Sequence, residues 1–282
     1  MSMPKPPKGD KPPSEDKPPK GDKPPSEDKQ GFLQPNKNML TFPAFSSFLL
    51  FHGVFNRYGG FSPAPWDSQN VSFGLGDDSQ NVLANREGIK KVLGCRQLVS
   101  ARQVHESQVF VVKETPKEDS NVDGFDALVT NVQGLGLMIQ QADCQAVMLF
   151  DPEKMAVGIV HAGWRGSVND VIAKTVSAMR HTFATEPAAL IAAISPSLGP
   201  CCAEFINYRS EFPVSLHRYQ VRPNYFDFWA ISRDQLCAAG VRLDNIHTAK
   251  VCTCCTQDYF SYRRERETGR FASVIGIREV KG

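Results

Sequence analysis

Three side chains in this sequence could share one metal ion: His105, Cys144 and His161. His161 ends the apolar run 156–160, and His105 and Cys144 each border a segment expected to be buried. Two imidazoles and a thiolate suit zinc, and three protein ligands leave a fourth position for water or substrate, as catalytic sites require. Their separations match no local zinc-finger rule, so spacing alone leaves open that they are isolated core or surface residues. Gly163 and Gly166 let the backbone after His161 pass close to a ligand. Amide groups at the following helix start, beside Arg165, outline an anion site, with a simple helix cap and a solvated arginine as the alternative.

These residues need elements to position them. Segments 126–130, 137–139, 146–150, 156–160 and 190–194 are short apolar runs bounded by Gly, Pro or Asp, and they read as buried strands. Val168, Val171, Ile172, Thr175, Val176, Met179 and Phe183 recur at helical spacing and predict an amphipathic helix. The stretch His161-Ala-Gly-Trp-Arg-Gly166 therefore lies within a strand, turn, helix, strand unit. The expected class is α+β: a single mixed domain over residues 31–282, with packed β-sheets flanked by helices.

Composition removes several functions. Of 282 residues 41% are apolar, enough for a sizeable core, and 32 basic against 30 acidic side chains leave a charge of +2. That balance argues against a dedicated nucleic-acid binder. No run approaches the ~18 apolar residues of a membrane span, so no membrane partner is expected. Eight cysteines without a basic-then-apolar leader read as reduced thiols in a cytoplasm. Cys201, Cys202, Cys252, Cys254 and Cys255 read as small packing residues rather than a second metal site. A four-copper oxidase needs roughly twice the six histidines present, partly as His-x-His pairs, which this sequence lacks.

Together, Gln103-Val-His105, Asp126-Ala-Leu-Val-Thr130, Ala142-Asp-Cys144, His161-Ala-Gly-Trp-Arg-Gly166, Gly199-Pro-Cys201, Phe260-Ser-Tyr-Arg-Arg264 and Thr268-Gly-Arg270 resemble the YfiH family. That family was once labelled multicopper polyphenol oxidase (laccase) and is now described as purine nucleoside phosphorylase with accessory adenosine deaminase activity. The likeness runs from about His52 to the C-terminus. It implies zinc on His105, Cys144 and His161, with copper as the other candidate ion. It also implies a phosphate or ribose edge at Arg57, Gly59 and Gly60, within a segment that includes His52, Gly53 and Ser62. Arg57 and Arg165 are the implied anion ligands, and Asp143 is the nearest candidate for the proton donor to the purine. The implied substrates are a small nucleoside (adenosine, inosine or 5′-methylthioadenosine) and phosphate. Tyr262, Arg263 and Arg264 read as a loop that closes on or supports the site, or else as a solvated basic face. Gln140-Gln141 stands where the family commonly has Thr before Ala-Asp-Cys, and Ala203-Glu204 where it has Tyr-Glu. Two rival readings use the same residues: Cys144 as nucleophile with His161 as base in an amide hydrolase acting on a peptidoglycan precursor, or a copper-dependent polyphenol oxidase.

Residues 5–16, KPPKGDKPPSED, recur unchanged at 17–28. A segment this rich in Pro and charge, without an apolar anchor, cannot offset its ordering entropy and is expected to be a disordered tether over residues 1–30. A Pro-rich ligand is the sharper alternative, for a partner the sequence does not specify. Deleting residues 1–30 should leave activity and melting temperature nearly unchanged, and limited proteolysis should remove this segment first. A loss of several degrees in the melting scan of the truncated chain would show that the segment docks.

Overall fold

A computed structural model describes residues 38–46 and 49–279; the expected tail, residues 1–30, lies outside the described residues. In chain order the strands are β1 (Met39–Leu40), β2 (Leu50–Phe55), β3 (Gln97–Arg102), β4 (Val109–Val112), β5 (Ser120–Asp123), β6 (Ala127–Thr130), β7 (Leu135–Gln141), β8 (Gln145–Asp151), β9 (Ala156–Ala162), β10 (Ile191–Ile194), β11 (Gln220–Arg222), β12 (Tyr225–Phe226), β13 (Ile246–Thr248) and β14 (Phe271–Ile277). The helices are α1 (Ser79–Leu93), α2 (Trp164–Val168), α3 (Val171–Phe183), α4 (Tyr208–Glu211), α5 (Phe228–Ala238) and α6 (Tyr262–Glu265). One six-stranded sheet runs β1-β2-β14-β7-β3-β5 and a second runs β13-β10-β8-β9-β6-β4, both with mixed strand directions.

Side-chain alternation stacks these elements into layers. Met148 and Phe150 of β8 and Val157 and Ile159 of β9 face the other sheet, where they meet Leu137, Ile139 and Ile275. Their neighbours Val147, Leu149 and Val160 point the other way, onto Val171, Ile172, Val176 and Met179 of α3 and Leu236 of α5. The far face of the first sheet presents Leu98, Met138 and Val274 to Ile89 and Leu93 of α1. The order is helix, sheet, sheet, helix, and β7, β8 and β9 read as unbroken apolar runs because both of their faces are covered. Each fully buried aliphatic side chain contributes about 1.5–3 kcal/mol, so this double coverage is a large part of the folding free energy.

The five expected strand runs are β6 to β10, and the mixed class with packed sheets holds. The expected helix over 168–183 is divided. Val168 ends α2, and Asn169 and Asp170, the latter at φ +55°, intervene before α3. Strands β2 and β14 escape an apolar-run reading because His52, Gly53, Ser273 and Gly276 interrupt them. Gly276 is required by proximity: a Cβ there would lie 2.2 Å from the Leu135 carbonyl oxygen. No described helix is long and apolar enough to cross a membrane.

His52 on β2 is a core residue. Its ring packs edge-on against Phe45 at 4.9 Å, and its Nε2 accepts a hydrogen bond from the Phe42 backbone N–H at 2.7 Å. Burial, and then the charge of Arg278, hold its pKa down at about 4. The unfolded chain protonates this imidazole near 6.5, so between these values the unfolded state binds more protons and stability falls as pH falls. Melting scans should show this loss between pH 6.5 and 4, with a slope of up to about 1.4 kcal/mol per pH unit from this group. His52→Gln, which keeps an acceptor for Phe42, should flatten that part of the profile; an unchanged slope would refute the assignment.

Candidate metal centre

Asp126, immediately before β6, is buried and makes four side-chain hydrogen bonds. His161 Nδ1–H donates to its carboxylate at 2.8 Å, and the backbone N–H groups of Val104, His105 and Glu106 donate at 3.3, 3.0 and 2.8 Å. One carboxylate thus orients the imidazole at the end of β9 and also holds the loop after β3 that carries His105. Gln103 adds a second clasp. Its side chain copies a strand edge, donating to the Gln140 carbonyl at 2.8 Å and accepting from the Gln140 N–H at 2.9 Å. These bonds offset a conformational cost, because His105 itself sits at φ +61°, a left-handed position worth about 1–3 kcal/mol for a residue with a Cβ.

Cys144 enters from the corner between β7 and β8, where Asp143 stands at φ +85°. The Asp143 carboxylate accepts from Thr253 Oγ1 at 2.7 Å and from the Arg263 backbone N–H at 2.6 Å, and its carbonyl accepts from Leu198 N–H at 2.8 Å. The ligand atoms of His105, Cys144 and His161 lie within 4.8 Å of one another, with Cys144 Sγ 4.0 Å from His105 Nε2. Gly163 leaves room for them: a Cβ there would stand 3.1 Å from both Cys144 Sγ and His105 Cδ2. Burial by itself would raise the Cys144 pKa, but the charge of His161 and the hydrogen bond with His105 outweigh it and bring it to about 6. Burial likewise opposes protonation of His161, yet Cys144 and Asp126 together raise its pKa to about 9. A set of two imidazoles and an ionised thiol, fixed from behind by a carboxylate, can hold a metal ion.

The three residues line a cavity of about 780 Å³. Arg165 and Arg270 also line it, and neither has a carboxylate partner among the described residues. Arg165 is exposed and stacks over Trp164 at 4.8 Å, while Arg270 is half-buried and donates to the Thr268 and Gly269 carbonyls. Burial pushes the Arg270 pKa down, and the negative charge at Cys144 counters it. The structure does not bring Arg57, Gly59 or Gly60 to this cavity. Arg57 is buried, pairs with Glu265 at 2.6 Å and with Asp67 at 3.4 Å, and lies over the Phe260 ring. Its charge is thereby spent on clamping α6, whose Tyr262 and Arg263 border the cavity. Gly60 presses on the Ser68 and Gln69 backbone, and Gly59 lies against Asn38. Asp143, read from sequence as a proton donor, has both carboxylate oxygens engaged and acts on the site by holding the corner before Cys144.

Asp126 and Arg270 are the residues that sequence reasoning missed as members of the site. Both stood inside recognised motifs, but nothing local marks Asp126 as the partner of a histidine 35 positions away. Losing such an outer carboxylate typically costs 10- to 100-fold in metal affinity, so Asp126→Asn should weaken binding of a divalent metal ion by about that factor in a chelator competition. Gly163→Ala, which pushes on two ligands at once, should act in the same direction. Unchanged affinity in both variants would show that the three residues do not share an ion.

A family model described as multi-copper polyphenol oxidoreductase laccase matches residues 51–278. A purine nucleoside phosphorylase of Corynebacterium glutamicum is 33% identical over 227 residues, spanning 78% of this chain and 92% of that protein. One from Streptomyces coelicolor is 35% identical, spanning 80% and 94%. The crystal structure of YlmD from Geobacillus stearothermophilus superposes with a TM-score of 0.79 at 29% identity, covering 88% of this chain and 99% of that one. YfiH of Bacillus licheniformis gives 0.76 at 26% identity, covering 86% and 97%. The chain belongs to this family, which joins a laccase description to relatives named purine nucleoside phosphorylase.

Proposed function

We propose that the cavity binds a purine nucleoside and phosphate and cleaves the N-glycosidic bond by phosphorolysis, with zinc held by His105, Cys144 and His161. The observation that carries this reading is a three-ligand group that shares one cavity of about 780 Å³ with arginines that meet no carboxylate, Arg165 and Arg270 among them, a volume suited to a small organic ligand. The names of the relatives support the reaction class.

Phosphate lies against Arg165 and Arg270, whose guanidinium groups bind its oxygens and hold it for attack at ribose C1′. The bond from C1′ to purine N9 breaks as the bond to a phosphate oxygen forms, and the proton carried by hydrogen phosphate passes to the departing purine, giving free base and ribose 1-phosphate. The aromatic side chains Phe73, Phe205 and Phe228 supply apolar walls for the purine and exclude water. Asp126 keeps His161 Nδ1–H bonded, which leaves Nε2 as its ligand atom. Zinc, when bound, supplies Lewis-acid polarisation of a substrate oxygen or of the water that displaces a 6-amino group, the step needed for adenosine deamination. Gln140, Gln141, Ala203 and Phe205, where the sequence departs from the usual family pattern, border the cavity and tune substrate choice.

A second reading is favoured by one observation: Cys144, at about 6, stands beside His161 with Asp126 behind it, the order of nucleophile, base and orienting group. That geometry would serve an amide hydrolase acting on a peptidoglycan precursor if no metal occupied the thiolate. Copper could take the same three ligands singly. Of the six histidines, only His105 and His161 join a described ligand group, too few for a multicopper centre.

Metal-analysed protein should be incubated with adenosine, inosine and 5′-methylthioadenosine, with and without phosphate. Free base with ribose 1-phosphate, or with 5-methylthioribose 1-phosphate from the third substrate, is expected only with phosphate; free sugar released at the same rate without it would overturn the reading. Loss of a hydrogen-bonded charge costs about 1.5–3 kcal/mol, so Arg165→Gln and Arg270→Gln should each raise the phosphate KM by about tenfold or more at unchanged zinc content.

A further inference from the structure

We propose that Cys201, Cys202, Cys252 and Cys255 form a second, closed metal site that binds one zinc ion through four thiolates. Their sulfurs lie within 4.8 Å of one another, and Cys255 Sγ is 3.5 Å from both Cys201 Sγ and Cys202 Sγ. Tetrahedral zinc with Zn–S bonds of about 2.3 Å sets its sulfurs about 3.8 Å apart, so four donors already stand at nearly that spacing.

The packing role expected from sequence does not describe these residues. Cys201 and Cys255 are exposed and Cys202 and Cys252 half-buried, whereas cysteines that merely fill space are among the most buried residues. Cys252 and Cys255 bracket two residues, and the turn between them is closed by Cys255 and Thr256 N–H groups donating to the Cys252 carbonyl, both at 3.2 Å. The Gly199 N–H points at Cys252 Sγ at 3.3 Å. The fold brings this knuckle to Cys201-Cys202 through a bridge between Ser197 and Cys252, with Ser197 N–H donating to the Val251 carbonyl and Thr253 N–H to the Ser197 carbonyl. Cys254, in the same run, is outside the group.

Electrostatics completes the case. Four thiolates this close repel unless a cation joins them, and with a divalent ion the assembly still carries two negative charges. Arg222 donates to the Cys201 carbonyl at 2.9 Å and Arg263 to the Cys202 carbonyl at 3.1 Å, and neither guanidinium has a carboxylate partner among the described residues, so both place positive charge beside the cluster. The site also has a consequence for catalysis. The loops it would join are those that hold Asp143, through Leu198, Thr253 and Arg263, so the second ion would stiffen the corner that presents Cys144.

The test uses the full chain, purified under reducing conditions with zinc and analysed for metal per chain. Cys252→Ser and Cys255→Ser should each hold one equivalent fewer than the unmutated chain and Cys254→Ser the same number; His105→Ala, which touches the other ligand group only, should cost a further equivalent when combined with Cys252→Ser, and full retention in the Cys252 and Cys255 variants would overturn the proposal. The unmutated protein gives an independent readout. Iodoacetamide labelling, mapped by peptide mass, should modify Cys201, Cys202, Cys252 and Cys255 about tenfold more slowly before chelation than after, because a metal-bound thiolate is a poor nucleophile. Equal rates with and without chelator, or a disulfide among the four cysteines in the reduced preparation, would overturn the proposal.

Discussion

The carboxylate of Asp126 ties together two chain segments that carry the candidate ligands. On one side it accepts the Nδ1 proton of His161, on the other three successive backbone N–H groups at 104–106. Its backbone carbonyl also accepts the His161 N–H at 2.7 Å, so β6 and β9 register the two residues before the side chains do so. A buried anion is costly unless its lone pairs are filled, and here each bond that fills one also positions a ligand. Burial works to raise the Asp126 pKa, but the hydrogen bonds from His161 and the loop hold it below its ordinary value.

The rest of the cavity is built by the same economy of shared supports. Asp143, strained at φ +85°, is held by Thr253 and Arg263 from two distant loops, and the corner it forms delivers Cys144. Glu265 collects Arg57, Arg264 and Thr268, and this knot fixes α6 against β2 and the chain leading to β14. Arginine is thus used in two ways. Arg57 and Arg264 spend their guanidinium groups on carboxylates and carbonyls, while Arg165 and Arg270 meet no carboxylate and leave positive charge in the cavity.

The sheets make this arrangement rigid. Strands β8 and β9 pair along their full length, so Cys144 and His161 leave adjacent strands at the same edge, and α3 and the first sheet press on their two faces. Sites built on such doubly covered strands keep their ligand spacing, whereas His105, on an exposed loop, depends on the Asp126 and Gln103 bonds.

Much of this was legible in the sequence. The buried strands β6 to β10 announced themselves because strands covered on both faces carry continuous apolar runs, and the trio His105, Cys144 and His161 followed from ligand chemistry and from the motif likeness. Other features were not legible, for a physical reason in each case. Strands β2 and β14 hide behind His52, Gly53 and Gly276, residues chosen for close approach rather than for hydrophobicity. Arg57 and Arg270 are the same residue type in similar glycine-bearing motifs; the Arg57 guanidinium meets Glu265, 208 positions away, whereas the Arg270 backbone N–H is held by Asn70, 200 positions away, and its guanidinium borders the cavity. Cys201-Cys202 and the 252–255 knuckle look like separate pairs until the Ser197 bridge makes them one group. Sequence by itself determined which chemical groups were present and which segments had to be buried, since composition and periodicity are local properties. Tertiary structure alone decided which charges meet a partner and which remain free to act, because that depends on distances across the fold that no local pattern encodes.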